Sequence, residues 1–442
     1  MKNARLALAR SLETTDNPFN GTEEVLAWIA RRNREVSVKI DRVPFAGLRG
    51  WRFEDGTGNL VHESGRFFSV VGLDVYTNTG TVSRWSQPII NQPEVGCLGI
   101  LCREIDGVMY FLLQAKIEPG NVNCVQLSPT LQATRSNYMC VHGGRAPAYL
   151  DAFRDVPRGR IVLDQLQSEQ GARFLRKRNR NMIVEADGDV EAGEDFRWLT
   201  LGQIKSLVRI DNIVNMDTRT VLSGLRAGDD GPSEGVNSTD DILHWLSGVK
   251  SRYELIADKM PLADVEGWVV SDDEIARPDR RFFRVVGVDV QIENREVSSW
   301  CQPLVEPMQE GLCVLFTKKI GGVAHYLLQA KVECGNFDVV ELAPTIQCLT
   351  GPYRNPIGYT PTFLREFLDG SCVERTVVDA MQSEEGGRFY HEQNRNVVCE
   401  VNDAIPDVPP DNFVWMTLGQ IREFLRYNNY LNIQVRSLVS ML

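Results

Sequence analysis

Hydrophobic and polar positions along the chain predict one series of elements, and that series occurs twice. Each copy opens with a helix in which apolar residues recur at helical spacing, EEVLAWIARR after Thr22 and DDILHWLSGV after Ser238 and Thr239. The segments FFSVVGLDVYT and FFRVVGVDVQI, rich in β-branched residues, predict strands. Two longer apolar runs around an Asp-Gly or a Gly-Gly pair then predict a hairpin in each copy.

The later part of each copy predicts a short strand and further helices. The strand ends in Leu-Ser-Pro or Leu-Ala-Pro, and a polar loop follows it. We predict helices for QSEQGARFLRKRN and QSEEGGRFYHEQN, with asparagines such as Asn396 as caps at their ends. Thr200 with Gln203, and Thr417 with Gln420, fit the capping box of a final helix.

An offset of about 215 residues relates the two copies, which indicates a tandem duplication. Residues 164–181 and 379–396 are identical at ten of eighteen positions, and all eight tryptophans fall into pairs. The period is far too long for a solenoid, so we expect each copy to be a domain with its own core. The predicted boundaries are an N-terminal extension at 1–20, repeat 1 at 21–223, a polar linker at 224–237 and repeat 2 at 238–442.

Composition and charge narrow the class of protein. The chain has 442 residues, 43% hydrophobic and 24% charged, as in an ordinary globular protein. No apolar run is long enough to span a membrane, and the N-terminus is too polar for a secretory signal, so we expect a cytoplasmic protein. A net charge of −11 without a long basic run disfavours nucleic-acid binding. Ten cysteines without a CxxC pair predict buried thiols rather than zinc ligands.

Several common catalytic motifs are missing from the sequence. It contains no GxGxxG after a strand, no GxxxxGK[ST], no GxSxG and no HExxH, which disfavours Rossmann cofactors and P-loop ATPases. None of the five histidines has an equivalent in the other copy, so a histidine-based metal or triad site common to both copies is excluded.

One stretch of each copy resembles a Nudix fold. In the second copy, 341–344 (ELAP) is similar to the strand end before a Nudix box, and 384–387 (EEGG) to its EExG. The set is incomplete, because Ala380 and Met381 stand where Arg-Glu belong and the first copy has Gln170 in place of the second glutamate. Nudix hydrolysis gathers several carboxylates on divalent metal. We therefore expect a diphosphate-binding ancestry without a metal site.

The whole chain carries a second and more specific resemblance. Over residues 20–442 the paired motifs FFxVVGxDV, W-x-Q-P, LLQAK-x-E, L-x-PT-x-Q and QSE-x-G-x-RF…NRN resemble the NDP-hexose 2,3-dehydratases of antibiotic deoxysugar pathways. The resemblance implies an α+β fold of two tandem Nudix-like α/β/α domains, no organic cofactor, and a homodimer. It implies a dTDP-4-keto-6-deoxyhexose substrate and an unstable 3,4-diketo-2,6-dideoxy product. An NADPH-dependent 3-ketoreductase would then accept that product.

Such a dehydration needs only side-chain chemistry. The C3 proton lies next to the C4 ketone, so a base removes it when the enolate oxygen is stabilised, and the C2 hydroxyl then leaves with help from an acid. Each proton transfer is worth roughly two to four powers of ten in rate. The nucleotide supplies remote binding energy that positions the sugar ring.

The polar loop after each Pro-Thr strand end is the predicted nucleotide site, because hydroxyls and an arginine suit a diphosphate. Trp51 and Trp268 are predicted to stack on thymine, Arg388 to pair a phosphate, and Asn396 to contact the ligand if it is not a cap. The alternatives are core packing for the tryptophans and a carboxylate partner for the arginine. The loop candidates are Gln132, Thr134, Arg135, Ser136 and Tyr138 in the first copy, and Gln347, Thr350, Gly351 and Arg354 in the second.

For catalysis the sequence nominates Glu341 and Tyr353. Glu341 is asymmetric, since the first copy has Gln126 there, as expected if one copy keeps the activity. Tyr353 is the predicted acid or enolate donor. Glu118 and its equivalent Glu333 are also candidates for the base, but a glutamate next to a lysine at a strand exit, as with Glu118 and Lys116, rather predicts a surface ion pair. Two alternative functions stay open: a Nudix-type hydrolase of nucleoside diphosphate sugars and a non-catalytic nucleotide-sugar-binding protein.

Overall fold

A computed structural model of the chain describes residues 2–134, 145–228, 230–351 and 360–442. Helices and strands follow the same order in both repeats, which confirms the α+β class. In this part of the chain, no helix is long and apolar enough to cross a membrane. The first repeat and the segment before it contain α1 (Lys2–Glu13), α2 (Thr22–Glu35), β1 (Val38–Val43), β2 (Trp51–Phe53), β3 (Leu60–His62), β4 (Ser69–Thr77), β5 (Arg84–Asn91), β6 (Gly96–Ile105), β7 (Val108–Ile117), β8 (Val125–Ser128), β9 (Leu131–Ala133), β10 (Ile161–Ser168), β11 (Arg178–Glu185), β12 (Phe196–Thr200), α3 (Leu201–Leu207) and α4 (Met216–Ser223).

The second repeat runs through an equivalent series of elements. It contains α5 (Thr239–Arg252), β13 (Leu255–Met260), β14 (Val269–Val270), β15 (Glu274–Ala276), β16 (Phe283–Ile292), β17 (Ser299–Pro307), β18 (Gly311–Ile320), β19 (Val323–Lys331), β20 (Glu341–Pro344), β21 (Ile346–Leu349), α6 (Leu364–Leu368), β22 (Val373–Ser383), β23 (Gln393–Val401), β24 (Phe413–Met416), α7 (Leu418–Phe424) and α8 (Ile433–Ser440).

Each repeat builds a seven-stranded mixed sheet. The first has the order β10-β11-β6-β7-β12, with β8 beside β7 and β9 beside β6. The second has the order β22-β23-β18-β19-β20, with β21 beside β18 and β24 beside β19. One pair in each sheet is parallel, β6 with β11 and β18 with β23. The predicted hairpin is confirmed, because β6 and β7 meet at Asp106 and Gly107, whose φ values of 50° and 77° suit a tight hairpin turn.

The two repeats exchange a strand. Strand β1 of the first repeat lies antiparallel on β16 of the second, from Val38 opposite Ile292 onwards. Strand β13 of the second repeat lies antiparallel on β4 of the first, from Leu255 opposite Thr77 onwards. Each resulting five-stranded sheet therefore contains strands from both repeats. The repeats are interlocked, and residues of one repeat reach the surface of the other's large sheet.

The core reflects this exchange. A cluster around Phe196 belongs to the first repeat alone, and a cluster around Trp415 belongs to the second alone. The largest cluster joins both repeats, with Phe111 and Leu315 among its members. The expectation that each copy has a core of its own is therefore right only in part.

The predicted helices in the two QSE segments are wrong. Each segment is the end of a strand, a turn and the start of the next strand, so Asn396 lies inside β23 rather than at a helix end. The carbonyl of Gly386 accepts a hydrogen bond from Gly120 N (2.7 Å), and that of Gly171 accepts one from Gly335 N (2.6 Å). Because the opposite repeat binds these carbonyls, tertiary contacts override the helical spacing of the side chains.

The capping predictions fare better. Thr200 and Thr417 each accept a hydrogen bond from the backbone three residues on, and both capping boxes are complete. Ser238 caps α5, as predicted. In the first repeat the cap of α2 is Gly21, and Thr22 is the first helical residue.

Candidate active site

A cavity of about 210 Å³ opens between the large sheet of the first repeat and two segments of the second. The first repeat contributes the ends of β7 and β9 and the first turn of α4, and the second contributes residues 295–302 and the turn at 385–388. Its lining is rich in charge for a buried space. The charged lining residues are Lys116, Glu118, Lys177, Asp217, Arg295, Glu296, Glu385 and Arg388.

Lys116 and Glu118 form the floor of the cavity where β7 ends. Glu118 Oε1 accepts a hydrogen bond from Gln132 Nε2 (2.8 Å), and Lys116 Nζ lies 3.9 Å from the same oxygen. Their side chains are only 6% and 5% exposed, so the prediction of a surface ion pair is wrong. Burial lowers the pKa of Lys116, and Glu118 opposes that shift. Glu118 Oε2 is buried and has no hydrogen-bond partner among the described residues.

Two further carboxyl groups face this floor. Asp217 lies in the first turn of α4 and is 2% exposed. Burial, reinforced by the nearby charges of Glu385, Glu169 and Glu118, raises the pKa of Asp217 well above its usual range. Burial also raises the pKa of Glu385 to about 7, although Arg388 opposes the shift. The cavity thus combines a carboxyl whose pKa is raised well above its usual range with one whose pKa is about 7.

The turn that carries Glu385 is held on both sides. Gln302 Nε2 donates to the carbonyl of Gly387 (2.8 Å), which gives a role to the glutamine of the W-x-Q-P motif. Arg388 Nε donates to Gln92 Oε1 (3.2 Å), and its guanidinium lies 4.2 Å from the centre of the Phe68 ring. Burial lowers the pKa of Arg388 from its usual value.

Aromatic rings form one wall of the cavity. The Trp51 ring lies 4.9 Å from Phe68 and 5.3 Å from His62, and Trp51 Nε1 donates to the carbonyl of Cys301 (2.8 Å). Phe67 and Trp300 are the other aromatic residues of the lining. A ring wall beside an arginine suits a planar base with an attached phosphate.

The positions equivalent to this cavity around the large sheet of the second repeat differ in charge. Lys331, Glu333 and Gln347 repeat the floor, with Gln347 Nε2 donating to Glu333 Oε1 (2.9 Å). The other positions do not match: Gln434 stands for Asp217, and Gln170 stands for Glu385. The two carboxyl groups with raised pKa values that face the floor are therefore particular to the cavity of the first repeat.

Four of the predicted site residues line the cavity: Trp51, Gln132, Thr134 and Arg388. Five more lie in the second repeat and outside this lining. Trp268 packs on Phe283, Gln347 donates to Glu333, Thr350 donates to the carbonyl of Glu310, Gly351 lies beside Gln309, and Asn396 donates to the carbonyl of Asn394. The remaining candidates, Arg135, Ser136, Tyr138, Tyr353 and Arg354, lie outside the described residues.

Glu341 is buried between the repeats and does not line the cavity. Its Oε2 accepts a hydrogen bond from Ser168 Oγ (2.7 Å), and burial raises its pKa to about 7. The equivalent Gln126 accepts the equivalent bond from Ser383 Oγ (2.9 Å). A second Glu/Gln difference between the repeats occurs at Glu385 and Gln170, and unlike Glu341, Glu385 lines the cavity. This difference is visible in the sequence, but the sequence analysis explains it as part of an incomplete Nudix motif.

Within the described ranges, no group of three or more histidine, cysteine, aspartate or glutamate side chains is arranged to hold a metal ion.

Comparison with known proteins gives a consistent result. A family model described as NDP-hexose 2,3-dehydratase matches residues 22–225 and again residues 239–442. The chain is 48% identical over 443 residues to a dTDP-4-dehydro-6-deoxy-alpha-D-glucopyranose 2,3-dehydratase of Saccharopolyspora spinosa, covering 95% of this chain and 91% of that protein. Proteins of the same name from Amycolatopsis orientalis and Streptomyces violaceoruber are 45% and 43% identical, over 98% and 94% of this chain and 92% and 95% of their own lengths.

Proposed function

Because the chain belongs to the NDP-hexose 2,3-dehydratase family, we propose that its cavity removes water across C2 and C3 of dTDP-4-keto-6-deoxyglucose. The product is dTDP-3,4-diketo-2,6-dideoxyglucose. The observation that carries the proposal is the meeting of Lys116, Glu118, Asp217 and Glu385 around one space. The reaction needs a base, an acid and a partner for the enolate oxygen, and this group supplies all three.

Glu385 is the proposed base. A base works best when its pKa lies near the working pH, and Glu385 titrates at about 7. It takes the C3 proton, which the adjacent C4 ketone makes acidic, and negative charge moves to the C4 oxygen. The amino group of the buried Lys116 side chain lies on the cavity floor and is the proposed hydrogen-bond partner of that oxygen.

Asp217 is the proposed acid. Burial raises its pKa well above the usual range of a carboxyl, which favours the protonated form that an acid needs. It donates that proton to the C2 hydroxyl, which leaves as water while the electrons of the enolate form the C2–C3 double bond. The enol then takes up a proton at C2 and gives up the proton of its C3 hydroxyl, which leaves the second ketone at C3.

The size of the cavity suggests that the sugar and the nucleotide of the ligand lie in different places. About 210 Å³ is below the roughly 300–1,000 Å³ of pockets that enclose a drug-sized ligand, so the sugar enters and the nucleotide lies across the mouth. Trp51 and Phe68 are proposed to meet the thymine, and Arg388 a phosphate. The loop that begins at Thr134, with Arg135, Ser136 and Tyr138, remains the proposed diphosphate contact.

Glu341 and Tyr353 stay alternative candidates for the base and the acid, together with the loop of the second repeat. The charge difference between the repeats favours the cavity of the first. A base in that cavity also has an open space next to it, whereas Glu341 is enclosed by protein.

The test is product identification. Purified protein is incubated with dTDP-4-keto-6-deoxyglucose, a 3-ketoreductase and NADPH, and the nucleotide products are separated by chromatography and mass spectrometry. A 2-deoxy sugar nucleotide supports the dehydratase. Release of dTMP supports the hydrolase instead, and unchanged substrate supports a binding protein.

Further assignments extend this proposal. A vicinal diketone is reactive, which supports direct uptake by an NADPH-dependent 3-ketoreductase. The homodimer, the cytoplasmic location and the domain boundaries at 21–223 and 238–442 are kept as proposals. The Nudix-like ancestry is also a proposal: the short strand at Glu341–Pro344 supports it, whereas the EExG segment forms a turn instead of a helix.

A further inference from the structure

We infer that Arg219 of the first repeat is a positioning residue that fixes the turn carrying Glu385 of the second repeat. The inference rests on the proposed function, because it gives Arg219 an effect on the reaction through Glu385. Arg219 lies in α4, two residues after Asp217, and its side chain is fully buried. It does not line the cavity and is not proposed to touch substrate.

Every donor of the Arg219 guanidinium is used. Nη1 donates to the carbonyl of Val214 (2.6 Å) and to Gln382 Oε1 (2.7 Å), and Nε donates to Ser437 Oγ (2.8 Å). Nη2 donates to the carbonyl of Ser383 (2.7 Å) and contacts the sulfur of Met216 (3.5 Å). An arginine has five N–H donors, and these five contacts together fix the orientation of the Arg219 guanidinium. The Ser383 carbonyl lies just before the Glu384–Glu385 pair.

Arg219 is a buried cation without a carboxylate in direct contact among the described residues. Burial lowers its pKa to about 10, so it remains charged at neutral pH. Burying an unpaired charge is costly, and well-packed neutral residues often replace such groups without loss of stability. Stability alone is therefore a poor reason for an arginine at this place. Fixing a turn at several points at once is a better one.

The other side of the turn is also fixed from the first repeat. Gly120 N donates to the carbonyl of Gly386 (2.7 Å), and a Cβ atom on Gly120 would lie 1.6 Å from the Phe389 carbonyl oxygen. Glu385 thus lies between two backbone carbonyls that the first repeat holds. The base comes from one repeat, and its position is determined by the other.

The chain contains a matched control. Arg436 in α8 occupies the equivalent place and is equally buried. Its Nε donates to Thr220 Oγ1 (2.7 Å), its Nη1 to the carbonyl of Leu431 (2.6 Å), and its Nη2 to the carbonyl of Ser168. The turn that follows Ser168 presents Gln170 where the other presents Glu385. The two arginines have the same kind of structural role, but only one holds a turn with the proposed base.

The test is a double-mutant cycle on the full chain. Arg219→Lys keeps the charge but loses the fork of donors, and a displaced base costs up to roughly a hundredfold in rate. We expect kcat to fall about 10- to 100-fold with KM for the sugar nucleotide within about threefold. In a Glu385→Gln background the same change lowers kcat less than about twofold, because there is no base left to displace.

Arg436→Lys is measured beside it and is expected to lower Tm by a similar amount while kcat stays within about threefold. If Arg219→Lys does not fold, two milder variants replace the arginine variants in the same comparison. Ser437→Ala removes one hydrogen-bond partner of Arg219, and Thr220→Ala removes the equivalent partner of Arg436. Additive effects of Arg219→Lys and Glu385→Gln, or equal losses of kcat for the two arginines, overturn the inference. An inactive unsubstituted protein overturns the proposed function instead, so the two failures are distinguishable.

Discussion

Replacing Glu385 with glutamine removes the proposed base and introduces the residue type that the first repeat has at the equivalent position, Gln170. A pKa of about 7 means that roughly 76% of the carboxyl is ionised at pH 7.5 and roughly 9% at pH 6. If Glu385 is the base, kcat/KM of the unsubstituted enzyme falls about eightfold between these two pH values. Loss of a general base costs about 10²- to 10⁴-fold in kcat, equivalent to about 2.7–5.4 kcal/mol.

The assay follows the coupled formation of the 2-deoxy sugar nucleotide from pH 5.5 to 8.5, with reductase in excess. Glu392→Gln is the matched control, because burial raises the pKa of Glu392 to about 7 as well, and its Oε2 has no partner among the described residues. We expect that control to keep its kcat within about threefold. A Glu385→Gln enzyme with nearly full kcat, or with an unchanged acidic limb, refutes the assignment. So does an equal loss in the Glu392→Gln enzyme.

Three further outcomes are expected. Glu341→Gln removes a carboxyl whose pKa burial raises from about 4.5 to about 7 in the folded state. The wild type therefore loses stability as the pH rises from about 4.5 to 7, and the substitution regains up to about 3 kcal/mol at pH 8, measured by urea unfolding. A tenfold drop in kcat would instead support Glu341 as the base. Trp51→Leu weakens dTDP binding, measured by calorimetry, about 5- to 100-fold, because a stacked base is worth about 1–3 kcal/mol. The control Trp268→Leu changes dTDP binding less than about threefold, and equal effects of the two substitutions contradict a site in the first repeat. Treatment with EDTA leaves the dehydration rate within about 20% of its value in magnesium, since proton transfers by side chains carry the reaction, and a chelator-sensitive release of dTMP would favour the hydrolase.

Features that depend on neighbouring residues could be predicted from the sequence. The hairpin at Asp106 and Gly107 follows from a pair that tolerates positive φ, and the capping boxes at Thr200 and Thr417 follow from a spacing of three residues. The duplication is visible because both copies keep the same motifs. The helix predicted for the QSE segments failed because the determining contacts, such as that of Gly120 with Gly386, come from the opposite repeat.

The site could be predicted only in part for the same reason. Trp51, Gln132, Thr134 and Arg388 were identified by residue type, and they line the cavity. Lys116 and Glu118 were assigned to the surface because a charged pair at a strand exit is usually solvated, and nothing local reveals that strand exchange covers them. Asp217 carries no local signal, since its importance depends on the neighbours that burial brings to it.

The exchange of strands gives the duplication a physical consequence. Each large sheet is closed by a turn from the other repeat, so a substitution in one copy of the QSE turn changes the cavity of the opposite copy. Buried carboxyl groups are costly to ionise, and Gln170 and Gln434 stand in place of two such groups around the large sheet of the second repeat. Neutral residues around one of the two large sheets therefore reduce the number of ionisable groups buried in the shared core. The cavity on the large sheet of the first repeat keeps Asp217 and Glu385, and this proposed acid–base pair needs both repeats, because Asp217 comes from the first and Glu385 from the second.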